Sequence, residues 1–151
     1  MAILALDTVS ATCSVTVRTP AGSISIRSST SRQQAEILLP SIDKALELAG
    51  ISKGEITAVA TAQGPGSFTG LRLSYAAAKA ICLSANAAFI PIPTLTAYAY
   101  PFNSWGRAVV SVLDAKKNRF YAQVFRGGVA VTDPLDAEPS EIAQFLDPEE
   151  R

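Results

Sequence analysis

The sequence predicts an α/β fold in which a strand-strand-strand-helix-strand-helix unit is followed by a truncated second copy. Apolar runs of strand length alternate with two amphipathic helical segments, and Val109–Asp114 repeats the pattern of Ile3–Asp7, an apolar strand that ends in aspartate. We place the first, complete unit at residues 1–101 and the incomplete second unit at residues 102–151. A chain of 151 residues is long enough to bury its own core without a metal or a disulfide.

Three strands begin the first unit. Ala2–Leu6 is continuously apolar, which is typical of a strand covered on both faces. Thr12–Arg18 alternates between apolar and polar residues, and Ile24 and Ile26 continue this alternation after a turn at residues 20–22. The second and third strands are therefore predicted to form a hairpin.

The first helix is predicted at Ala35–Ala49, where apolar residues recur every three or four positions. Ser31 is a plausible N-cap and Gly50 the stop signal. Pro40 lies inside this segment, so we expect a kink or a later start there. The fourth strand is predicted at Ile56–Ala60.

The remaining elements follow from the same patterns. We predict a helix at Leu71–Ala85, a short strand at Phe89–Pro93 and a short helix at Thr94–Tyr100. In the second unit the predicted strands are Val109–Asp114, Phe120–Phe125 and Val129–Thr132, and a short helix is predicted at Glu141–Leu146.

The segment Gly64–Gly70 resembles a phosphate-binding loop but fits neither common motif. A Walker A loop would need a lysine directly after its second glycine, and the first lysine that follows this segment is Lys79. The dinucleotide fingerprint would need a glycine where Thr69 stands, and Pro65 lacks the N–H that a phosphate would use. A close-packed turn with Ser67 or Thr69 as the helix N-cap is the favoured interpretation.

Composition excludes several classes of function. The chain has 13 basic and 13 acidic residues, so no overall charge favours nucleic acid or an anionic membrane. It contains no histidine, which removes Ser-His and Cys-His nucleophile pairs and every histidine-based metal site. Two distant cysteines, no secretory signal and no membrane-spanning run lead us to expect a cytoplasmic protein.

The second helix carries few charges. Between Leu71 and Ala85 only Arg72 and Lys79 are charged, and alanines keep the helix surface flat. Such a helix is either buried or part of an interface. We favour a helix pair that packs on the sheet with one side and on a second protein with the other, and a packed core without a partner is the alternative.

Four segments together resemble the TsaB (YeaZ) family and occur in the order found there. They are "LALDT" at Leu4–Thr8, "RQQAEILLPSID" at Arg32–Asp43, "GPGSFTGLR" at Gly64–Arg72 and "VLDAKKNRFYA" at Val112–Ala122. The resemblance implies the actin, sugar-kinase and heat-shock ATPase fold (ribonuclease H-like), which is itself a duplication. Relatives are longer than this chain, so the resemblance is to a short form.

The resemblance also implies a function. Proteins similar to TsaB are non-catalytic scaffold subunits in the formation of threonylcarbamoyladenosine on tRNAs that read A-starting codons. They pair through two N-terminal helices with a metal-binding catalytic subunit, TsaD, or with a second copy of themselves, and a small ATPase, TsaE, joins the complex. On this basis we expect tRNA to be met only through the complex, no catalytic or metal-binding residue and no cofactor of the chain's own. The implied contact residues are Leu38, Leu39, Ile42, Leu46, Arg72, Tyr75, Ala78, Lys79 and Cys82.

Two other functions remain open. An autonomous ATPase or phosphotransferase of this fold would bind ATP and Mg²⁺ through polar and glycine residues near the strand ends. The residues implied are Asp7, Thr8, Ser10, Thr12, Gly64, Gly66 and Asp114. For Asp7 and Asp114 a local role, accepting backbone N–H groups in the next turn, is the favoured alternative. A peptidase is less favoured because histidine is absent.

Overall fold

A computed structural model of the protein describes residues 1–29 and 33–146. Ser31, the predicted N-cap of the first helix, lies outside the described residues. The chain divides into two compact units, residues 1–63 with 67–92 and residues 64–66 with 93 onward. The first unit ends at Ile92, before the predicted boundary at 101, because the short helix after Pro93 packs on strands of the second unit.

The first unit contains a five-stranded mixed sheet. Its strands are β1 (Ala2–Asp7), β2 (Cys13–Thr19), β3 (Gly22–Ser28), β4 (Ile56–Gly64) and β5 (Ala88–Pro93), in the order β3-β2-β1-β4-β5. β1 pairs antiparallel with β2 and parallel with β4, and β2 and β3 form the predicted hairpin. β1 is therefore the central strand and is paired on both edges.

Two helices, α1 (Gln34–Ala49) and α2 (Phe68–Ala85), belong to the same core as the inward side chains of this sheet. Leu4 and Val15 are fully buried beside Leu38 and Ala78. Burying a leucine or valine side chain stabilises the fold by about 1.5–3 kcal/mol. The alternation of buried and less buried side chains along β1 and β2 therefore largely decides which face of the sheet the helices cover.

The predicted helix limits hold at the C-terminus of α1 and differ at its N-terminus. Gly50 adopts a left-handed conformation with φ 66° and donates its N–H to the last carbonyls of α1, as expected of a helix stop. A late start at Pro40 is wrong, because α1 begins at Gln34 and continues through the proline. Pro40 lacks the N–H that would donate to the Glu36 carbonyl, so the helix continues with one interior hydrogen bond missing.

The second unit contains α3 (Thr94–Ala99) and a smaller antiparallel sheet. Its strands are β6 (Val109–Lys116), β7 (Arg119–Arg126), β8 (Val129–Ala130) and β9 (Leu135–Ala137), followed by α4 (Pro139–Ile142). β7 pairs with β6 on one edge and with β8 and β9 on the other. The predicted strand Val129–Thr132 is shorter than expected, β9 was not predicted, and α4 begins earlier than Glu141.

The turn between β6 and β7 has an unusual backbone. Lys116, Lys117 and Asn118 have φ values of 71°, 53° and 59°, which places three consecutive non-glycine residues in the left-handed region. Two central residues with positive φ match the right-handed twist of a tight hairpin. The tight turn is achieved at some conformational cost because Lys116 and Lys117 are not glycine.

Candidate functional site

The glycine segment forms a tight turn that is fixed to the loop after β1. Ser67 caps α2 by accepting a hydrogen bond from the Gly70 N–H (3.3 Å), and its own N–H donates to the Val9 carbonyl (2.9 Å). The buried Thr8 hydroxyl donates to the Gly70 carbonyl at 2.6 Å. A Cβ at position 70 would lie 1.8 Å from the Thr8 carbonyl oxygen, so only glycine fits there. The predicted close-packed turn with Ser67 as cap is therefore confirmed.

Three N–H groups of this turn, those of Gly64, Ser67 and Gly70, are used within the protein. Gly64 donates its N–H to the Thr94 hydroxyl at 3.1 Å, and Pro65 has none to offer. Ser67 and Gly70 donate to Val9 and to the Ser67 hydroxyl, as described above. A phosphate-binding loop works by presenting free backbone N–H groups to the ligand, so this geometry favours a structural turn.

Asp7 and Asp114 have the same local role. The Asp7 carboxylate accepts a hydrogen bond from the Val9 N–H (3.1 Å), and Asp114 accepts one from the Lys116 N–H (2.7 Å). Each aspartate thus forms an Asx-type turn, which is the local role favoured from the sequence. Hydrogen bonds from the Lys116 side chain and backbone N–H hold the pKa of Asp114 below its usual value.

Ser10 and Thr12, also implied in nucleotide binding, make hydrogen bonds within the first unit. The Ser10 hydroxyl accepts a hydrogen bond from the Thr12 N–H (3.3 Å), and the Ser10 carbonyl accepts one from the Gln34 side chain (2.7 Å). Asp7, Thr8, Ser10 and Thr12 belong to the first unit, whereas Gly64, Gly66 and Asp114 belong to the second.

Four of the implied contact residues are part of the core. Leu38 and Ala78 are 0% exposed, Ile42 is 1% exposed and Leu46 is 4% exposed, and all four pack in the core of the first unit. Their assignment to a partner surface is wrong, because their helix positions face the sheet rather than solvent.

The remaining candidates are accessible to different degrees. Arg72 and Lys79 are exposed, as is Leu39 at 58%. Tyr75 is half-buried and packs edge-on against Phe89, with ring centroids 5.3 Å apart. Cys82 is also half-buried, with its thiol directed at the Ala88 carbonyl, and burial raises its pKa.

The exposed side of α2 forms a continuous stripe that the sequence analysis identified only in part. We define the outer stripe of α2 as Phe68, Arg72, Ala76, Lys79 and Leu83, all of them exposed. Phe68 is 72% and Leu83 is 86% exposed. The Arg72 guanidinium lies over the Phe68 ring, 5.2 Å from its centroid, which is a cation–π contact. Spacing of three or four residues from Arg72 could have identified Phe68 and Leu83 in the sequence.

The described residues contain no group of three or more His, Cys, Asp or Glu side chains arranged to hold a metal ion. Within the same residues, no helix combines the length and apolar character needed to cross a bilayer.

The family described as "TsaD: tRNA N6-adenosine threonylcarbamoyltransferase" matches residues 25–147, most of the chain. The chain belongs to this family. The proposed resemblance to TsaB is also confirmed by relatives that carry that name. The chain is 35% identical over 129 residues to the tRNA threonylcarbamoyladenosine biosynthesis protein TsaB of Haemophilus influenzae (83% of this chain, 55% of the relative). It is 30% identical over 125 residues to the TsaB of Escherichia coli K12 (80% and 53%).

The fold has a close match among solved structures. A Pseudomonas aeruginosa protein described as similar to peptidase YeaZ superimposes with a TM-score of 0.85 at 24% identity, covering 97% of this chain and 70% of that one. The α/β fold predicted from the sequence is thereby confirmed. The chain spans about half the length of the curated relatives it matches, 55% and 53% of them.

Proposed function

We propose that this chain is a non-catalytic subunit in the biosynthesis of threonylcarbamoyladenosine on tRNA. In this role it pairs with a TsaD-like catalytic subunit, and a TsaE-like ATPase joins the complex. The tRNA is met through the complex, since the chain has equal numbers of basic and acidic residues. The names of its TsaB relatives and its membership of the TsaD family support the pathway.

The outer stripe of α2 is the observation that carries the pairing. Phe68 and Leu83 are large apolar side chains at opposite ends of the stripe, and small Ala76 lies between them. A partner helix can approach closely over alanine while the two apolar side chains become buried. α2 contains no acidic residue, so Arg72 and Lys79 give the stripe a positive charge that fits an acidic partner helix.

The test uses the exposed end of the stripe. Purified chain mixed with a TsaD-like subunit is expected to elute from a size-exclusion column as a complex. Leu83→Arg is expected to weaken that complex at least about tenfold, because the apolar contact of Leu83 is lost and a charged side chain must be desolvated in its place. Val129→Arg is the matched control, since Val129 is also exposed, at 67%, but lies on β8. An unmutated mixture that elutes as separate proteins would contradict the proposal.

A homodimer in the absence of the catalytic subunit is part of the same proposal. The exposed face of α1 carries Glu36, Asp43 and Glu47 against a single lysine, Lys44. An acidic α1 and a basic α2 are complementary when two copies meet around a two-fold axis. Leu83→Arg is expected to weaken this dimer as well.

ATP binding by the same fold is the rival proposal. The fold of the actin and sugar-kinase type favours it, whereas the internal hydrogen bonds of the glycine turn favour a structural role. Calorimetry with ATP and Mg²⁺ separates the two functions. Micromolar binding that is lost in Asp7→Ala would support nucleotide binding, and absence of heat would support the scaffold function.

A further inference from the structure

The hairpin of β2 and β3 has a polar face that is turned away from α1 and α2. The apolar residues of β2, which are Cys13, Val15 and Val17, are buried in the core that the two helices share with the sheet. The residues between them lie on the opposite face, because successive side chains of a strand alternate between the two faces of a sheet. We define the arginine face as Ser14, Thr16 and Arg18 of β2 together with Ser23, Ser25 and Arg27 of β3.

The strand register makes the arginine face an ordered array of hydroxyl and guanidinium groups. Each arginine lies opposite a serine of the other strand, and Thr16 lies opposite Ser25 between them. The Arg18 guanidinium donates a hydrogen bond to the Ser23 hydroxyl (3.0 Å), and the hydroxyls of Thr16 and Ser25 are 2.8 Å apart. Burying charged and hydroxyl groups against an apolar element is costly, so this face is suited to a hydrated or polyanionic neighbour.

The positive charge of the arginine face has no counter-ion on the hairpin. From Thr8 to Ala35 the sequence contains no aspartate or glutamate. Arg18 and Arg27 are exposed and make no ion pair within the part of the chain that the structure describes. The neighbouring strand β1 places one acid beside this face, Asp7, whose carboxylate accepts the Val9 N–H. A chain with no net charge therefore has a locally cationic face.

Other basic side chains of the described residues are neutralised by nearby carboxylates. The ones that form such ion pairs are Lys44, Lys53, Lys116 and Arg119. The two arginines of the arginine face are thus more available to an external anion than these four residues.

The positions of the two arginines favour an extended polyanion over a single small anion. Arg18 lies opposite Ser23, and Arg27 follows Ser23 by four residues along β3. With a rise of about 3.4 Å per residue and about 4.8 Å between strands, the Cα atoms of the two arginines are about 14 Å apart. The hydrogen bond to Ser23 directs the Arg18 guanidinium across the hairpin rather than along it towards Arg27. Two separate phosphates of a nucleic-acid backbone fit this arrangement better than one free phosphate.

The composition of the hairpin limits recognition to the backbone of such a ligand. Residues 8–35 contain no aromatic side chain on which a base could stack. Arginine, serine and threonine side chains are among the groups that contact phosphate oxygens in complexes with nucleic acids. The arginine face is therefore suited to contacts that do not depend on base sequence.

We propose that the arginine face binds the phosphate backbone of tRNA when this chain is part of its complex. The choice of tRNA rests on the proposed function, and the inference adds the surface through which this chain contacts it. The arginine face and the outer stripe of α2 belong to different sides of the first unit, because α1 and α2 cover the opposite face of the sheet. A partner helix on the outer stripe of α2 therefore leaves the arginine face accessible.

The first test measures how strongly the complex of the full chain with a TsaD-like subunit binds labelled tRNA at a series of salt concentrations. Arg18→Gln and Arg27→Gln are each expected to lower the slope of log K against log salt concentration by about 0.7–0.9, because each removes one phosphate contact. The double variant is expected to bind tRNA at least about tenfold more weakly at low salt. Lys53→Gln is the matched control, since Lys53 is also exposed but pairs with Asp43 outside the arginine face, and it is expected to leave the slope unchanged.

The outcome also distinguishes backbone contacts from base recognition. Phosphate contacts carry no sequence information, so the loss is expected to be equal for tRNAs with different anticodons. A salt slope in the double variant equal to that of the parent would overturn the proposal, as would an equal loss of tRNA binding in Lys53→Gln.

Size-exclusion chromatography without tRNA separates this inference from the proposed function. The double variant is expected to elute with the TsaD-like subunit as the parent chain does. Loss of that complex in the double variant alone would assign the arginine face to an acidic protein surface, which overturns the inference and leaves the proposed function standing. A parent chain that does not form the complex contradicts the proposed function, and the same comparison of salt slopes on the isolated full chain then decides whether the arginine face binds tRNA.

Discussion

Gly70 decides whether the glycine turn can close. Its position against the Thr8 carbonyl leaves no room for a side chain. Gly70→Ala is therefore expected to lower the free energy of unfolding by about 3 kcal/mol, since backbone on both sides must move. Gly54→Ala is the control, because a Cβ there meets no atom within 4 Å, and it is expected to stay within about 0.5 kcal/mol. Urea unfolding measures both, and equal effects would contradict the close contact.

Lys117 shows how one substitution can have opposite effects at two positions. Its φ of 53° is strained for a side chain, so Lys117→Gly is expected to raise the free energy of unfolding by about 0.5 kcal/mol. Lys79 is exposed within α2, where glycine costs about 1 kcal/mol relative to alanine, and Lys79→Gly is expected to destabilise the chain. Thermal unfolding of the two variants compares them directly, and a shift of the same sign in both would refute the strain argument.

At the scale of elements, the buried face of α2 does not tolerate a charged side chain, whereas its exposed face does. Ala78 is fully buried, so Ala78→Arg is expected to destabilise the chain by more than about 3 kcal/mol by burying an unpaired charge. Leu83→Arg, at an 86% exposed position, is expected to stay within about 0.5 kcal/mol. Circular dichroism during heating gives both values. Comparable loss in the two variants would mean that Leu83 is not a surface residue in solution.

The sequence was sufficient to predict elements whose pattern is local. Alternation in β2, the stop at Gly50 and the cap at Ser67 depend on neighbouring residues, and all three agree with the structure. The outward face of α1 and α2 was harder to predict. Both helices are apolar on more than one side, and the register against the sheet, which the helix sequence does not contain, determines that Leu38 is buried while Leu39 is exposed.

The second unit was predicted less well for a physical reason. β8 and β9 have two and three residues, too few to show an alternating pattern, and their pairing with β7 fixes them.

The contact between Thr8 and Gly70 in the first unit was not predicted, because it joins residues 62 positions apart that appear in the sequence as separate positions. Such contacts depend on the tertiary fold.

At the scale of the whole molecule, we expect stability to be nearly constant between about pH 5 and 8, because histidine is absent. Hydrogen bonds from Ser52 lower the pKa of Glu55, and Lys116 lowers that of Asp114. Depressed carboxyl pKa values give stability that is present above the unfolded-state value near pH 4 and is lost as the pH falls through the folded-state values.

At alkaline pH, the stability of the fold depends on the ionisation of the Cys13 thiol. Burial first, and then the negative charge of Asp7, raise the pKa of Cys13. The unfolded chain therefore ionises this thiol more readily, and stability falls as the pH rises above about 8.5. Urea midpoints measured across pH should show a smaller alkaline decline in Cys13→Ala than in the parent. An identical decline would assign it to other groups.

The loop after β1 holds the beginnings of both helices. Thr8 and Val9 hold the start of α2, and Ser10 holds Gln34 at the start of α1. A protease cut at the exposed Ala11 would disconnect the loop that carries all three anchors from β2. Both helices would then fray from their first turns together, and amide exchange there would quicken in parallel, so that two segments distant in sequence behave as one cooperative opening unit.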